Sequence, residues 1–304
     1  MTLFDGGAGS SGVTSLPSAR SDAAGCALVH RDALAAVPSR DTRGARATGA
    51  VDERGVLTMS LLDDVNDSAA RAASLTLNEN CDPDVRVDMA AALARVAANA
   101  LGASAAPADE RAGVCALGAM IGGSVCVPLA DGRPLTGTWQ GVWLARHAEG
   151  AQDARIAAQL LPARAQTTLS VSAGGRGAVD ITEKVRDAVS AAAGGSESGA
   201  VHVFVRHTSA ALVLGALRSA RELEEAASAV VPRAWHYEFF RHTAEGEDDM
   251  VGHIKSTLLG VSVCVPVRGG ELALPEGAGV LLVEHRDGGG WGGGSERQIV
   301  VTLL

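Results

Sequence analysis

The strongest constraint in this chain of 304 residues is an internal repeat. The hexapeptide SVCVPL begins at Ser124, and SVCVPV begins at Ser262, a shift of 138 residues. The same shift aligns His147 with His285, and a shift of 137 aligns Ser74 with Ala211. A spacing this constant over about eighty residues indicates a tandem duplication of one structural unit. The chain is therefore expected to fold as two similar units.

The boundary between the two units is predicted near residues 162–166. This places the first repeat in residues 1–165 and the second repeat in residues 166–304. The length supports the same division, because domains commonly contain about 150 residues.

Hydrophobic spacing and turn residues predict the fold class. Val201, Val203 and Val205 alternate with other side chains, which is the period of a half-buried strand. Further strands are predicted at 258–267, 280–285 and 298–304. Strands and helices do not alternate regularly along either repeat. The prediction is therefore an α+β protein, with a largely antiparallel β-sheet or sandwich and flanking helices in each repeat.

Two helix starts are predicted from capping signals. In the first repeat, Asp82 is expected to cap a helix whose first residue is Pro83. In the second repeat, Ser219 and Glu222 form a capping-box pattern, and the helix should end before Pro232.

Composition argues against several classes of protein. The chain has 35 acidic and 26 basic residues, a net charge of −9, and only 3% aromatic residues. Nucleic-acid binding needs clustered cations and stacking rings, so it is not expected. No apolar run reaches the roughly 20 residues of a membrane helix, and no secretory signal is recognised. Five cysteines without a C-x-x-C pair indicate a reducing compartment, so a cytoplasmic location is predicted.

Histidines of the second repeat are the main candidates for chemistry. His207 lies at the end of a predicted strand, and His242 and His253 flank an acidic run that includes Asp248 and Asp249. Imidazoles beside carboxylates can bind a divalent metal ion or transfer protons. We predict that the three histidines form a metal or acid–base cluster, with the metal being zinc or magnesium. The alternative is that each histidine is an ordinary surface or core residue.

Several strings resemble the YjbQ family. In the second repeat they are RHTSAALVL from Arg206, HTAEGEDDMVGHIKSTLLGVSVCVPV from His242, and EHRD from Glu284. In the first repeat they are SLTLNENCDPDVRVDM from Ser74 and SVCVPLADGRPLTGTWQGVWL from Ser124. The resemblance covers nearly all of the second repeat and the first repeat from about residue 56. It implies a trimer-forming α+β unit with secondary thiamine-phosphate synthase activity, which joins a pyrimidine pyrophosphate to a thiazole phosphate and releases pyrophosphate.

The resemblance implies transfer or hydrolysis on a phosphorylated small molecule. The implied metal ligands are His207, His242 and His253, and Asp248 and Asp249 would orient them. Lys255 and Ser256 would hold phosphate, and Glu284 would be a second carboxylate. The implied catalytic group comprises His207, Thr208, Ser209, Asp248, Asp249, Lys255, Ser256 and Glu284. The implied substrate-binding residues are Asn78, Glu79, Trp139 and Gln140.

The two repeats lose different family motifs. In the first repeat, the HTS triplet becomes Ala70-Arg71-Ala72, and HIKS becomes CALG from Cys115. In the second repeat, Asn78-Glu79 is replaced by Gly215-Ala216, and TWQG by residues 276–279.

Two explanations of this pattern are open. The chain is either a catalytically impaired binding or assembly protein, or it forms one composite pocket between the repeats. In a composite pocket, Asn78 and Glu79 should approach His207, and Trp139 and Gln140 should border the same cavity. A Glu79 carboxylate more than about 12 Å from all three imidazoles, well beyond the roughly 4–6 Å over which charges interact strongly, would exclude it. In the alternative, Asn78 and Glu79 only precede the helix capped by Asp82, and Trp139 fills a core.

Overall fold

The computed structural model describes residues 12–15, 25–28, 54–61, 73–101, 115–147, 155–193, 198–288 and 296–304. In this part of the chain, each repeat contains a five-stranded and a three-stranded antiparallel sheet with helices beside them. The predicted α+β class with antiparallel sheets is confirmed. None of the described helices is both long and apolar enough to cross a membrane.

The first repeat contains eight described strands and two described helices. The five-stranded sheet has the order β1-β8-β3-β5-β6, and the three-stranded sheet has the order β2-β7-β4. The elements are β1 (Gly12–Ser15), β2 (Gly25–Leu28), β3 (Gly55–Leu61), β4 (Ala73–Glu79), α1 (Pro83–Leu101), α2 (115–121), β5 (Ser124–Ala130), β6 (Arg133–Pro134), β7 (Gln140–Arg146) and β8 (Arg155–Pro162).

The second repeat has the same sheet orders, β9-β16-β11-β13-β14 and β10-β15-β12. The elements are β9 (Ala165–Ser172), β10 (Gly177–Asp180), α3 (Thr182–Ala193), β11 (Gly199–Val205), β12 (Ala210–Ala216), a 3₁₀ turn (Leu217–Ser219), α4 (Ala220–Val230), α5 (Trp235–Glu238), α6 (Asp249–Leu259), β13 (Ser262–Arg268), β14 (Glu271–Leu272), β15 (Ala278–Glu284) and β16 (Glu296–Leu303).

The matching sheet orders show that one topology occurs twice, as expected from the constant shift between the repeats. Strands β1 and β2 extend the first repeat toward the N-terminus, well before residue 56, where the resemblance in the sequence began. The exact division between residues 165 and 166 stays a prediction.

Only one of the two predicted caps forms. The Asp82 Oδ1 atom accepts a hydrogen bond from the Asp84 backbone N–H at 2.9 Å, and α1 begins at Pro83 as predicted. Helix α4 also occupies its predicted position, but the Ser219 side chain makes no capping hydrogen bond. The capping box is therefore wrong. Ser219 ends a 3₁₀ turn with ψ near 7°, whereas an N-cap residue that caps through its side chain is typically extended.

A shared hydrophobic cluster joins the repeats. Met89 and Leu93 of α1 pack in one cluster with Trp235, Met250 and Ile254 of the second repeat. Helix α6 also contacts β4 of the first repeat and β12 of its own repeat. Burying each large apolar side chain contributes about 1.5–3 kcal/mol. The packing fixes the end of β4 against α6, which is where the candidate site lies.

Candidate functional site

The end of β4 and the first turns of α6 bring together side chains from both repeats. The Glu79 Oε2 atom lies 3.0 Å from His253 Nε2. The composite arrangement required this carboxylate within about 12 Å of an imidazole, and that expectation is confirmed. The neighbouring Asn78 fixes the contact, because its Nδ2 donates to the His253 backbone oxygen and to Thr257 Oγ1, both at 2.7 Å.

The surroundings of His253 place a proton on its Nδ1 atom. Its Nδ1 lies 3.2 Å from the Thr208 backbone oxygen and 3.1 Å from Ser209 Oγ. A carbonyl oxygen can only accept, so Nδ1 carries a proton and donates it. The Nε2 atom faces Glu79 and also Asp249, whose Oδ2 is 3.5 Å away. Although Nε2 is fully buried, it has no partner in hydrogen-bond geometry.

His242 is held in the same way. Its Nδ1 donates to Asp82 Oδ2 at 2.6 Å, and its Nε2 lies 2.8 Å from Asp249 Oδ2. The rings of His242 and His253 are 5.6 Å apart, so both Nε2 atoms border the same small region around Asp249. Asp82 belongs to the first repeat, which therefore orients a histidine of the second.

A buried aspartate of α1 also holds the His242 backbone. The Asp88 Oδ2 atom accepts hydrogen bonds from the backbone N–H groups of Arg241 and His242, both at 2.8 Å. The sequence pattern predicted only a capping role for Asp82 and no role for Asp88. The missed signal was an acid on the apolar side of α1, one residue before Met89.

Charge strongly shifts the pKa values of the cluster. Burial disfavours the charged form of His253, but the carboxylates of Asp249 and Glu79 outweigh it and raise the pKa to about 10. Burial likewise opposes charge on His242, yet Asp249 and Asp82 raise its pKa to about 9. Burial would raise the pKa of Asp249, but the two imidazoles and Arg286 lower it below its ordinary value.

The donor atoms fit a divalent cation. One ligand atom from each of Glu79, His242 and His253 lies within 4.8 Å of the others. Two imidazole nitrogens and one carboxylate match a common catalytic zinc set that leaves a position for water or substrate. The Nδ1–H groups bind a carboxylate and a carbonyl, which is the usual support of metal-binding histidines. The residues present therefore fit a metal ion.

His207 lies beside this set rather than within it. Its Nδ1 accepts the Ser209 backbone N–H at 3.0 Å, so its neutral ring carries the proton on Nε2. Burial, together with the positive charges of Arg297, His253 and Arg286, lowers the pKa of His207 to about 3. The ring is thus a neutral hydrogen-bond donor near two arginines.

The structure places Lys255 and Ser256 in other buried contacts. The Lys255 Nζ atom binds Glu224 at 2.6 Å and Ser228 Oγ at 2.8 Å, and Ser256 Oγ donates to the Ala210 backbone oxygen. Glu224 also accepts from His285 Nδ1 at 2.6 Å. Lys255 therefore binds protein groups in this structure, and its implied contact with phosphate stays a prediction.

The remaining acids of the implied site bind arginines and backbone. The Glu284 Oε2 atom accepts from Arg297 Nε at 2.5 Å, and its Oε1 accepts the Arg286 backbone N–H at 3.0 Å. The Arg286 guanidinium contacts both Asp248 and Asp249. Asp248 and Glu284 therefore support the loop that carries Arg286, and only Asp249 reaches the two imidazoles.

Gln140 and Trp139 have different roles from each other. The Gln140 side chain donates to the backbone oxygens of His207 and Val205 at 2.7 and 3.2 Å, so it ties the first repeat to the loop of His207. Trp139 is 54% exposed, so the alternative that it fills a core is wrong. Their implied contact with substrate stays a prediction.

The positions equivalent to His253 and Glu79 in the other repeat carry no imidazole and no carboxylate. Cys115 occupies the place of His253 in α2, and Ala216 occupies the place of Glu79 in β12. The predicted counterpart of the HTS triplet, residues 70–72, lies outside the described residues. Within the described ranges, the chain brings one such cluster together.

Comparisons with known proteins identify relatives that match one repeat at a time. A family model described as "UPF0047 protein YjbQ-like" matches residues 68–162 and again residues 167–304. The UPF0047 protein YjbQ of Salmonella typhimurium is 38% identical over 143 residues, which cover 45% of this chain and 96% of that protein. The UPF0047 protein YjbQ of Escherichia coli O157:H7 is 35% identical over 143 residues, with the same coverage. A crystal structure of a YbjQ-like protein of unknown function from Sulfolobus solfataricus P2 is 27% identical, covers 46% of this chain and 96% of its own, and has a TM-score of 0.40.

Proposed function

The chain belongs to the UPF0047 protein YjbQ-like family, and we propose that it is a metal-dependent enzyme acting on a phosphorylated small molecule. The observation that supports this best is the convergence of Glu79, His242 and His253 at the junction of the repeats. The proposed reaction is transfer or hydrolysis at a phosphate or pyrophosphate group, and secondary thiamine-phosphate synthase activity is the specific candidate.

The proposed ligands of the divalent ion are Glu79 Oε2 and the Nε2 atoms of His242 and His253. A bound ion of this kind polarises phosphate oxygens and activates water. The protein would hold both imidazoles in one orientation through Asp82 and the Thr208 backbone oxygen. This orientation keeps each Nε2 directed at the ion rather than at solvent.

The His207 Nε2–H group is the proposed contact for an anionic oxygen of the substrate. The low pKa of His207 keeps the ring neutral, so it donates one hydrogen bond and carries no charge near the ion. Arg286 and Arg297 supply positive charge nearby, which favours a phosphorylated ligand over a neutral one.

A second candidate function is binding or assembly without catalysis. The observation that favours it is the burial of His253 and Asp249, which are only 1% and 2% exposed. His242 Nε2 also pairs with Asp249, and the Glu79 carboxylate lies 3.0 Å from His253 Nε2, so opposite charges compensate one another in the site without any ligand.

The two functions are separated by measuring metal binding and turnover on the same protein. Chelator-treated protein is titrated with Zn²⁺ by calorimetry, and each metal-loaded sample is assayed for hydrolysis of p-nitrophenyl phosphate and for formation of thiamine phosphate from its two precursors. Glu79→Gln keeps the size of the side chain but removes its charge, so it is expected to weaken Zn²⁺ binding at least about tenfold. The exposed Glu225→Gln is the matched control and should bind like the unmodified protein.

Each outcome has a definite meaning. Zn²⁺ binding that depends on Glu79, together with turnover, supports the enzyme. The same binding without turnover of any phosphorylated compound supports the binding or assembly function. A protein that binds none of the three ions Zn²⁺, Mg²⁺ and Mn²⁺ contradicts the metal site.

A further inference from the structure

Strand β9 leaves one edge of the five-stranded sheet of the second repeat open. All eight residues of β9 pair with β16 in one continuous register, and no strand in the described part of the chain pairs with the other side of β9. At the opposite edge of the same sheet, β14 has only two residues, one of which is the charged Glu271. The β9 edge is therefore the side of this sheet that can accept a further strand.

The register identifies the backbone groups that point out of this edge. The Arg206 N–H donates to the Gln298 oxygen and the Leu304 N–H to the Ala200 oxygen, so even-numbered residues of β16 point toward β11. Because residues along an antiparallel strand alternate in direction, the odd-numbered residues of β16 bond to the odd-numbered residues of β9. No other main-chain group in the described ranges pairs with the outward N–H and C=O groups of β9, which belong to Gln166, Thr168, Ser170 and Ser172.

The sequence of β9 lacks the features that usually protect an edge strand. Proteins commonly blunt such edges with charged side chains, proline or a β-bulge. Residues 165–172, AQTTLSVS, contain no charged residue and no proline, and their pairing with β16 runs without a bulge. An unprotected edge of this length is a template on which an extended peptide can add a strand.

A groove lies between β9 and helix α3, on one side of this edge. It has a volume of about 520 Å³, and its apolar lining includes Ala165, Leu169, Ala188, Ala191, Val301 and Leu303. Successive side chains of a strand point to opposite faces of the sheet. A strand added to the β9 edge therefore directs every second side chain into the groove.

We propose that the β9 edge binds an extended peptide segment of another protein, which adds a sixth strand to this sheet. The peptide backbone would pair with the outward N–H and C=O groups, and large apolar side chains at alternate positions would fill the groove. Lys184 and Asp187 line the groove with opposite charges, so the apolar side chains rather than a net charge are expected to select the partner. A second copy of β9 is a poorer occupant, because Ala165 and Thr167 on its groove side are small. The proposal does not depend on the metal site.

A synthetic peptide tests the proposal. The probe is a fluorescein-labelled peptide, Lys-Leu-Thr-Leu-Thr-Leu-Thr-Glu, and its binding to the full chain is measured by fluorescence polarisation. Two control peptides carry methyl groups on the backbone nitrogens of either the threonines or the leucines, so they keep every side chain but lose the donors of one edge. We expect saturable binding of the probe and at least about tenfold weaker binding of one control, because its missing donors leave acceptors of β9 unpaired. Methylated threonines should be the weaker ligand if the added strand is antiparallel to β9, and methylated leucines if it is parallel.

Protein variants test the edge and the groove separately. Thr168→Pro removes one outward N–H and no bond to β16, a position at which an edge strand tolerates proline. Thr168→Ala is the matched control, because it keeps that N–H, and it should bind the probe like the unmodified protein. Ala191→Trp fills the groove. Thr168→Pro and Ala191→Trp are each expected to weaken binding at least about tenfold.

Three results would overturn the proposal. The first is the absence of saturable binding of the probe at up to about 1 mM protein, where even a weak complex is populated. The second is equal binding of the probe and both methylated peptides. The third is self-association that Thr168→Pro abolishes, measured by light scattering, because a second copy would then occupy the edge. If Thr168→Pro does not fold by circular dichroism, the methylated peptides decide the question on the unmodified protein.

Discussion

Replacing Asp88 should weaken both the contact between the repeats and the metal site. Asp88 lies in α1 of the first repeat, is 1% exposed, and accepts the backbone N–H groups of Arg241 and His242. It therefore holds the segment that carries one proposed metal ligand. Asp88→Ala removes both hydrogen bonds, and Asp88→Asn keeps one oxygen that can accept them.

The size of the effect follows from these two contacts. A hydrogen bond to a charged group contributes about 1.5–3 kcal/mol, so two give about 3–6 kcal/mol for Asp88→Ala. Asp88→Asn should cost about 1–2 kcal/mol, because neutral hydrogen bonds are weaker. Loss of support around a metal ligand typically weakens metal binding by about 10–100-fold. We expect that weakening for Asp88→Ala and a smaller one for Asp88→Asn.

Two measurements test this expectation. Urea unfolding of chelator-treated protein gives the free energy of unfolding, and calorimetric titration with Zn²⁺ gives the dissociation constant. Asp84→Asn is the matched control, because Asp84 lies on the same helix and contributes its backbone N–H, not its carboxylate, to the Asp82 cap. Asp88→Asn keeps the test possible if Asp88→Ala does not fold.

Two results would refute the reasoning. Unchanged stability of Asp88→Ala would mean that the two backbone hydrogen bonds contribute nothing. Reduced stability with unchanged Zn²⁺ affinity would mean that the position of the 241–242 segment does not affect the metal site.

Three further predictions follow from other buried groups. Glu224→Gln is expected to lower the free energy of unfolding by about 3–5 kcal/mol, because it leaves the Lys255 ammonium buried without its carboxylate. In a double-mutant cycle measured by urea unfolding, adding Lys255→Met should recover part of this loss. Effects of the two substitutions that simply add would contradict the pairing. Elemental analysis of metal-saturated protein should give about one ion per chain, bound by Glu79, His242 and His253, and two ions bound with equal affinity would contradict a single metal site per chain. Burial lowers the pKa of His202 to about 4, so its contribution to stability is complete above about pH 6.5 and is lost as the pH falls toward 4. His202→Leu should lose less stability than the unmodified protein over that range, and equal acid sensitivity of the two proteins would refute this assignment.

The repeat and the fold class could be predicted from the sequence because both depend on local patterns. The repeat is visible because the two SVCVP strings lie 138 residues apart in the sequence. Strand β11 is visible because its valines alternate within one element. The cap at Asp82 was predictable for the same reason, since it involves residues two apart. The failed cap at Ser219 shows the limit, because the 3₁₀ turn before α4 sets the backbone angles of that residue.

Which residues form the candidate site depends on packing between segments that are distant in the sequence. The histidine-rich motif indicated where chemistry was expected, but His207 lies outside the converging ligand atoms, and Lys255 is bound to Glu224 on α4. No pattern along the chain could show that α6 points Lys255 at α4 and His253 at Glu79. That distinction depends on which side of the helix each neighbouring element covers.

The sequence by itself determined that one α+β unit occurs twice and that the two repeats kept different polar residues. Only the tertiary structure decided that Glu79, Asp82 and Asp88 of the first repeat meet His242 and His253 of the second. The physical reason is that these contacts join residues more than 150 positions apart. Their partners are chosen by the apolar packing of α1 and β4 against α6, and that packing has no signature in the local sequence.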